Sequence, residues 1–316
     1  MFNAQTAPRA LPKSRYQSAG RAVATLAVLL ALSLPSSAQA NDPPFVGWSA
    51  LLPGLTTTYD PSSENDCTAG RVHCVDAVIR EMQRRFDPLA AACDHKAIFA
   101  LSYLRTTEVY RQTIKDPTFF EDTPFVNHED AVFAGYFFQA ADDWQAGRRA
   151  QVPRAWAIAM EAADGRTMPA SGDLILGINA HVQRDLPFVL AGIGLVKPDG
   201  TSRKRDHDKV NEFLNRVTAP LIAEIAARFD PSADDTNLPG FIDEAGTFQT
   251  IVTWREIAWR NAERLAGAPD AQARAVVAAE IEDYAASQAE TLRRSGGYVP
   301  GVQSSAARDA YCSTHH

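Results

Sequence analysis

The sequence predicts an all-α protein built as a single multi-helix domain of about eight helices, two of them kinked by proline. Three observations carry that expectation. Apolar residues recur at helical spacing through most of the chain, no stretch shows the alternation of a half-buried strand, and proline or glycine punctuates the periodic segments.

The first forty residues stand apart from the rest. Arg9, Lys13, Arg15 and Arg21 occur there without an acid, followed by an apolar run from Ala22 to Leu34 and then Pro35-Ser-Ser-Ala-Gln-Ala40. A basic leader, a hydrophobic segment and a small-x-small triplet read as a secretory signal over 1–40, cleaved near Ala40. The run falls short of the roughly 20 residues of a membrane-spanning helix, so an uncleaved N-terminal anchor is the weaker alternative. An exported protein, periplasmic or extracellular, with no stable membrane anchor after cleavage is expected.

Residues 41–66, rich in proline, serine and threonine, read as an extended lead-in, and 67–294 as the helical domain. Val72, Val75, Ile79, Met82 and Phe86 form the first stripe, which Asp87-Pro88 should end. A second helix runs from about Cys93 to Ile114, a third from about His128 to Gly147, and a shorter fourth opens at Pro153. The fifth, Ser171 to about Leu195, is apolar nearly all round and therefore central, and Pro187 should kink or divide it. The sixth spans about Arg203 to Phe229 and contains Pro220, a second expected break. Beyond an acidic loop, Asp230 to Gly240, two helices follow at about Glu244–Ala266 and Asp270–Arg294. Residues 295–316 read as a C-terminal tail in which His315 and His316 are disordered.

Subtracting the four basic residues of the leader from 31 leaves 27 against 38 acids, a net of −11 for the mature chain. Such a surface repels phosphate backbones, so nucleic acid is not expected as a partner. Four cysteines suit an oxidising compartment. Cys74 and Cys93 lie at opposite ends of a helical hairpin, roughly 18 Å apart at 1.5 Å per residue, too far to bridge. Cys67 with Cys74 and Cys93 with Cys312 is the preferred connectivity, with free thiols as the alternative.

Polar residues on apolar stripes mark the candidate site. In Leu174-Ile-Leu-Gly-Ile-Asn-Ala-His-Val-Gln-Arg-Asp-Leu-Pro187, His181 and Asp185 lie one turn apart, with Gly177 on the same stripe leaving space beside them. Such a pair can ligate one metal, or the carboxylate can orient the imidazole for proton transfer. Asp130 falls on the stripe of Phe133, Ala134, Phe137 and Ala141, and a buried carboxylate needs a partner. Arg105 of the second helix is a candidate, or a metal shared with His181 and Asp185. His95 and His128, at helix starts, could each complete a metal shell; His207 reads as a surface residue. Trp254-Arg-Glu-Ile-Ala-Trp259 reads as a packed face with its arginines turned outward. Gly-x-Ser-x-Gly, Gly-x-x-x-x-Gly-Lys, Gly-x-Gly-x-x-Gly and His-Glu-x-x-His are all missing, which demotes serine-hydrolase, nucleotide and dinucleotide readings.

Across about 90–265 the chain resembles a bacterial family of unknown function. The resemblance rests on Phe99-Ala-Leu-Ser-Tyr-Leu-Arg-Thr106, Asp130-Ala-Val-Phe-Ala-Gly-Tyr-Phe137, Val210-Asn211 and above all Asn179-Ala-His-x-x-x-Asp-Leu-Pro187. It implies no activity. A fainter similarity, to zinc-dependent phospholipase C and the related single-strand nucleases, implies that His181 and Asp185 bind zinc. The predicted mature start at Asn41 departs from the tryptophan those enzymes use as a ligand, and no second His-x-x-x-Glu pair occurs.

Two functions follow as expectations. One is an exported metal-dependent hydrolase, of phosphoesters for example, acting on a small-molecule or extracytoplasmic substrate. In it Asp130, His181 and Asp185, with His95 as a further ligand and Arg105 beside them, hold a divalent ion such as zinc that activates water. The other is a non-catalytic helical binding or structural protein in which the same residues form a buried ion-pair network.

Overall fold

Ten α-helices follow one another in the computed structural model, which describes residues 55–235 and 244–316. The leader read over 1–40 and most of the lead-in lie outside the described residues. Among the described residues there is no strand, only one isolated bridge between Val196 and Ser202, so the all-α single domain is the fold.

The helices are α1 (Val72–Ala91), α2 (Ala97–Thr113), α3 (Thr123–Gln145), α4 (Arg154–Asp164), α5 (Ala170–Asn179), α6 (Leu186–Ile193), α7 (Lys204–Arg228), α8 (Glu244–Ala266), α9 (Ala271–Ser295) and α10 (Ser305–His315). Several starts have a local cause. The Asp122 carboxylate accepts from the Phe125 N–H at 3.2 Å, with Pro124 in the first turn, so α3 begins five residues ahead of the expected start at His128. Asp270 caps α9 through the Ala273 N–H at 2.7 Å.

The prolines act differently from one another. Neither Pro88 nor Pro220 ends its helix: α1 continues to Ala91 and α7 to Arg228. Phe86 and Ala90 around the first, and Val217, Leu221 and Ile225 around the second, are buried, and that packing offsets the lost backbone bond. Pro187 does interrupt its helix. Residues Ala180–Asp185 between α5 and α6 form a π-helical stretch, whose wider turn relieves the contact between the proline ring and the carbonyl one turn earlier.

The α5–π–α6 rod is the axis of the molecule. The π-helical stretch touches α3, α4, α8 and α9; α5 packs on α2, α4 and α9, and α6 on α3 and α8. All six residues Ala180–Asp185 are buried, charged ones included. Gly177 sets the α2–α5 approach, since a Cβ there would lie 2.4 Å from the Phe99 ring. The space expected beside Gly177 is therefore occupied by Phe99.

Both cysteine pairings occur as expected: Cys67 with Cys74 at a Cα–Cα distance of 4.9 Å, and Cys93 with Cys312 at 6.0 Å. The second fastens α10, a helix that sequence periodicity left as a tail; His315 is its last residue. No helix among the described residues is long and apolar enough to cross a membrane.

Candidate functional site

His181 and Asp185 do face each other across one turn, with Nδ1 and Oδ2 3.2 Å apart. The contact turns Asp185 inward. Its Oδ2 also accepts from Trp156 Nε1 at 2.8 Å, and its Oδ1 from Arg184 Nη1 at 2.9 Å. Arg184 in turn donates to Glu282 on α9 at 2.5 Å. The carboxylate is 0 % exposed and its acceptor capacity is used by protein donors.

The His181 ring lies parallel to Phe133, centroids 3.5 Å apart, with Tyr103 at 4.5 Å and Phe99 edge-on. Burial holds its pKa below the ordinary histidine value, against the pull of Asp185. The neutral ring therefore donates from Nδ1 to Asp185 and presents Nε2 as an acceptor, which has no donor among the described residues.

That histidine belongs to the wall of a cavity of about 130 Å³. Leu174 and Ile178 of α5 and side chains of four further helices, each set at helical spacing, supply the rest of the lining. Phe99, Tyr103, Thr106 and Tyr110 come from α2, Glu129, Asp130 and Phe133 from α3, Phe213, Val217 and Leu221 from α7, and Ile251 and Arg255 from α8. The surface is mostly apolar with a few polar groups, the usual character of a small-molecule site.

Three of those polar groups lack partners among the described residues. Tyr103 Oη and Asp130 Oδ2, like His181 Nε2, have no hydrogen bond among the described residues. Burial and the nearby Glu129 push the Asp130 carboxyl up to about 8; burial pushes Glu129 up to about 7, with Arg255 opposing. Both residues face the cavity and so keep partial exposure while being surrounded by protein. Arg255 is 5 % exposed and donates to Asn211 Oδ1 and the His207 carbonyl, but to no carboxylate. Burial lowers it to about 10. Groups shifted by burial and gathered in one cavity are the pattern from which a functional site is argued.

Other sequence candidates lie elsewhere. Arg105 does not pair with Asp130; its guanidinium grips Glu224 at 2.7 and 2.8 Å and Glu108 at 2.8 Å. His95 is buried near α10, accepting from Arg308 at 2.9 Å and facing Asp309 at 3.1 Å. His128 holds the lead-in, its nitrogens 2.9 Å from the Cys67 carbonyl and 3.0 Å from that of Thr57. His207 is not a surface residue: it is 3 % exposed and packs against Trp259 and Arg255. Arg255 turns inward rather than outward. Ile251, Arg255 and Trp259 recur every four residues, a stripe that could have disclosed it, but arginine on such a stripe usually snorkels.

Asp130 and His181 share the cavity, whereas Asp185 and His95 do not line it. Among the described residues the three-donor group tight enough for one ion is Cys93, Cys312 and His316, and its two cysteines are joined in a disulfide. Of the expected metal ligands, Asp130 and His181 are the two that could offer a donor atom to a guest in the cavity.

No curated protein and no solved structure matches the chain. The model of a family of unknown function, DUF5995, matches residues 75–295, which includes every helix lining the cavity, and the chain belongs to that family.

Proposed function

We propose that this is an exported protein that binds a small, largely apolar molecule with a hydrogen-bonding head in the cavity between α2, α3, α5, α7 and α8. One observation carries the reading: Tyr103 Oη, Asp130 Oδ2 and His181 Nε2 all belong to that apolar cavity's lining and, among the described residues, all lack a protein partner. Polar groups buried without partners cost about 1–3 kcal/mol each, so a fold that retains three of them in one wall is suited to a guest that satisfies them. The two cysteine pairs support the exported part of the reading.

Proton transfer within the bound complex is a second reading, favoured by the Asp185–His181 geometry. A carboxylate on Nδ1 and a free Nε2 is how an imidazole is oriented to act as a general base. Hydrolysis assisted by a divalent ion would need Asp130 and His181 as its protein ligands, because Asp185 is committed to Trp156, Arg184 and His181.

The test is thermal unfolding and calorimetry of the mature protein with two neutral probes, 2-phenylethanol and hexanol. Saturable binding that raises Tm, and that disappears in Ile251→Trp, which fills the cavity from its rim, is the expected result. Binding unchanged in that variant would place the guest elsewhere and refute the reading.

A further inference from the structure

Two acceptors of the cavity, Asp130 Oδ2 and His181 Nε2, have no protein donor among the described residues. Neither accepts a hydrogen bond from the hydroxyls of Ser102, Thr106 and Tyr103 or from Arg255, all of which line the same cavity. Thr107 and Thr218 do not redress this, because each hydroxyl donates to a carbonyl of its own helix, at 3.0 and 2.9 Å. A guest that satisfies these two acceptors must therefore bring donors.

The two carboxyl groups are not equivalent. Glu129 lies within the field of Arg255, whereas Asp130 has no cation acting on it, and among the described residues it forms no ion pair. Around Asp130 the walls are aromatic. Phe133 is one turn along the same helix, and Tyr103 meets Phe133 edge-on with centroids 5.9 Å apart. Beyond them the imidazole of His181 stacks on Phe133. A carboxyl group with no cation of its own, beside aromatic rings and a free imidazole nitrogen, is complementary to one class of group, an ammonium, whose charge favours the carboxylate so that Asp130 gives up its proton to solvent on binding. The ammonium carries three donors and a charge that ring faces attract.

We propose that the ligand of this cavity is an organic cation, a primary or secondary ammonium on a compact aliphatic or aromatic body, with its nitrogen held by Asp130, His181 Nε2 and the Tyr103–Phe133 rings. The body extends along the apolar side formed by Phe213, Val217, Leu221 and Ile251. Arg255 sits beyond Glu129 on α8 and limits how far a cationic head can move in that direction. The inference rests on the small-molecule reading above and specifies its chemistry.

The experiment compares three head groups on one body at constant pH: phenethylammonium, 2-phenylethanol and phenylacetate, repeated with hexylammonium, hexanol and hexanoate. Calorimetry on the full mature chain should show the ammonium binding at least tenfold more tightly than the alcohol in one series or both, and the carboxylate weakest. In Asp130→Asn the ammonium should lose at least tenfold while the alcohol stays within about twofold, which separates loss of the charge from loss of the fold. Equal affinity for ammonium and alcohol overturns the proposal and leaves the cavity reading standing. So does a preference for carboxylate that vanishes in Arg255→Gln. If none of the six probes binds, both fall together.

Discussion

Replacing Asp185 by asparagine tests the central claim about the π-helical stretch, that this carboxylate is an anchor for three donors and not a ligand-facing group. The variant preserves shape and one acceptor oxygen but removes the charge. Three charge-assisted or buried bonds are affected: Trp156 at 2.8 Å, Arg184 at 2.9 Å and His181 at 3.2 Å. Arg184 retains Glu282 at 2.5 Å, so its guanidinium is not left wholly uncompensated. Hydrogen bonds to charged groups contribute about 1.5–3 kcal/mol, and a stranded buried donor costs about 1–3 kcal/mol. One bond kept, one weakened and one lost give a destabilisation of about 3 kcal/mol, near the lower end for a broken buried pair. For a domain of this size that is a fall in Tm of roughly 6–12 °C. Chemical and thermal unfolding followed by circular dichroism measures it. A loss below about 1 kcal/mol would refute the reasoning, because Asp185 could not then be the common acceptor the geometry shows.

Two further outcomes follow from other parts of the molecule. Folding holds the Asp130 pKa near 8, against 3.8 for the free side chain. The folded state therefore keeps its proton where the unfolded chain loses it, and this group makes stability fall as pH rises between about 4 and 8. Asp130→Asn should be more stable than the parent at pH 8 by a few kcal/mol, at about 1.4 kcal/mol per pKa unit, with the difference shrinking towards pH 4; denaturant midpoints across that range check it, and a pH-independent difference would contradict the burial. Separately, the Cys93–Cys312 bond closes a sequence separation of 219 residues. Cys312→Ser should cost about 5 kcal/mol on the loop-entropy account and release α10 first, so limited proteolysis should cut near Gly296–Gly301; an uncut, equally stable variant would show that the Arg308 bonds to Asp173 and the Met168 carbonyl suffice.

Much of the framework was legible because its signals are local. Apolar spacing located nine of the ten helices, α5 and α6 as one segment interrupted near Pro187, and helix length alone separated Cys74 from Cys93. Where expectation and structure part, the cause is a distant neighbour. Pro88 and Pro220 stay within helices because buried residues on either side outweigh one lost bond. Arg105 found Glu224, which lies 119 residues away in sequence, and no spacing rule could choose that acid over Asp130. α10 was missed because it is short and buries only Arg308 and Cys312, so its order comes from the disulfide and from Arg308 held against Asp173.

The candidate site divides the same way. That His181 and Asp185 share a turn, and that Asp130 lies on an apolar stripe, are consequences of 3.6-residue geometry, and the sequence by itself determined them. Which way each group points was decided only in three dimensions. The wide turn before Pro187 and the indole of Trp156 draw Asp185 inward, while Phe133 and Tyr103 hold His181 at the cavity wall. Tertiary packing alone also brought Tyr103, Glu129 and Arg255 to that wall. Periodicity states which residues lie on one side of a helix, but the rotation of each helix about its axis, and so the partners its polar atoms meet, is set by the packing of the whole core.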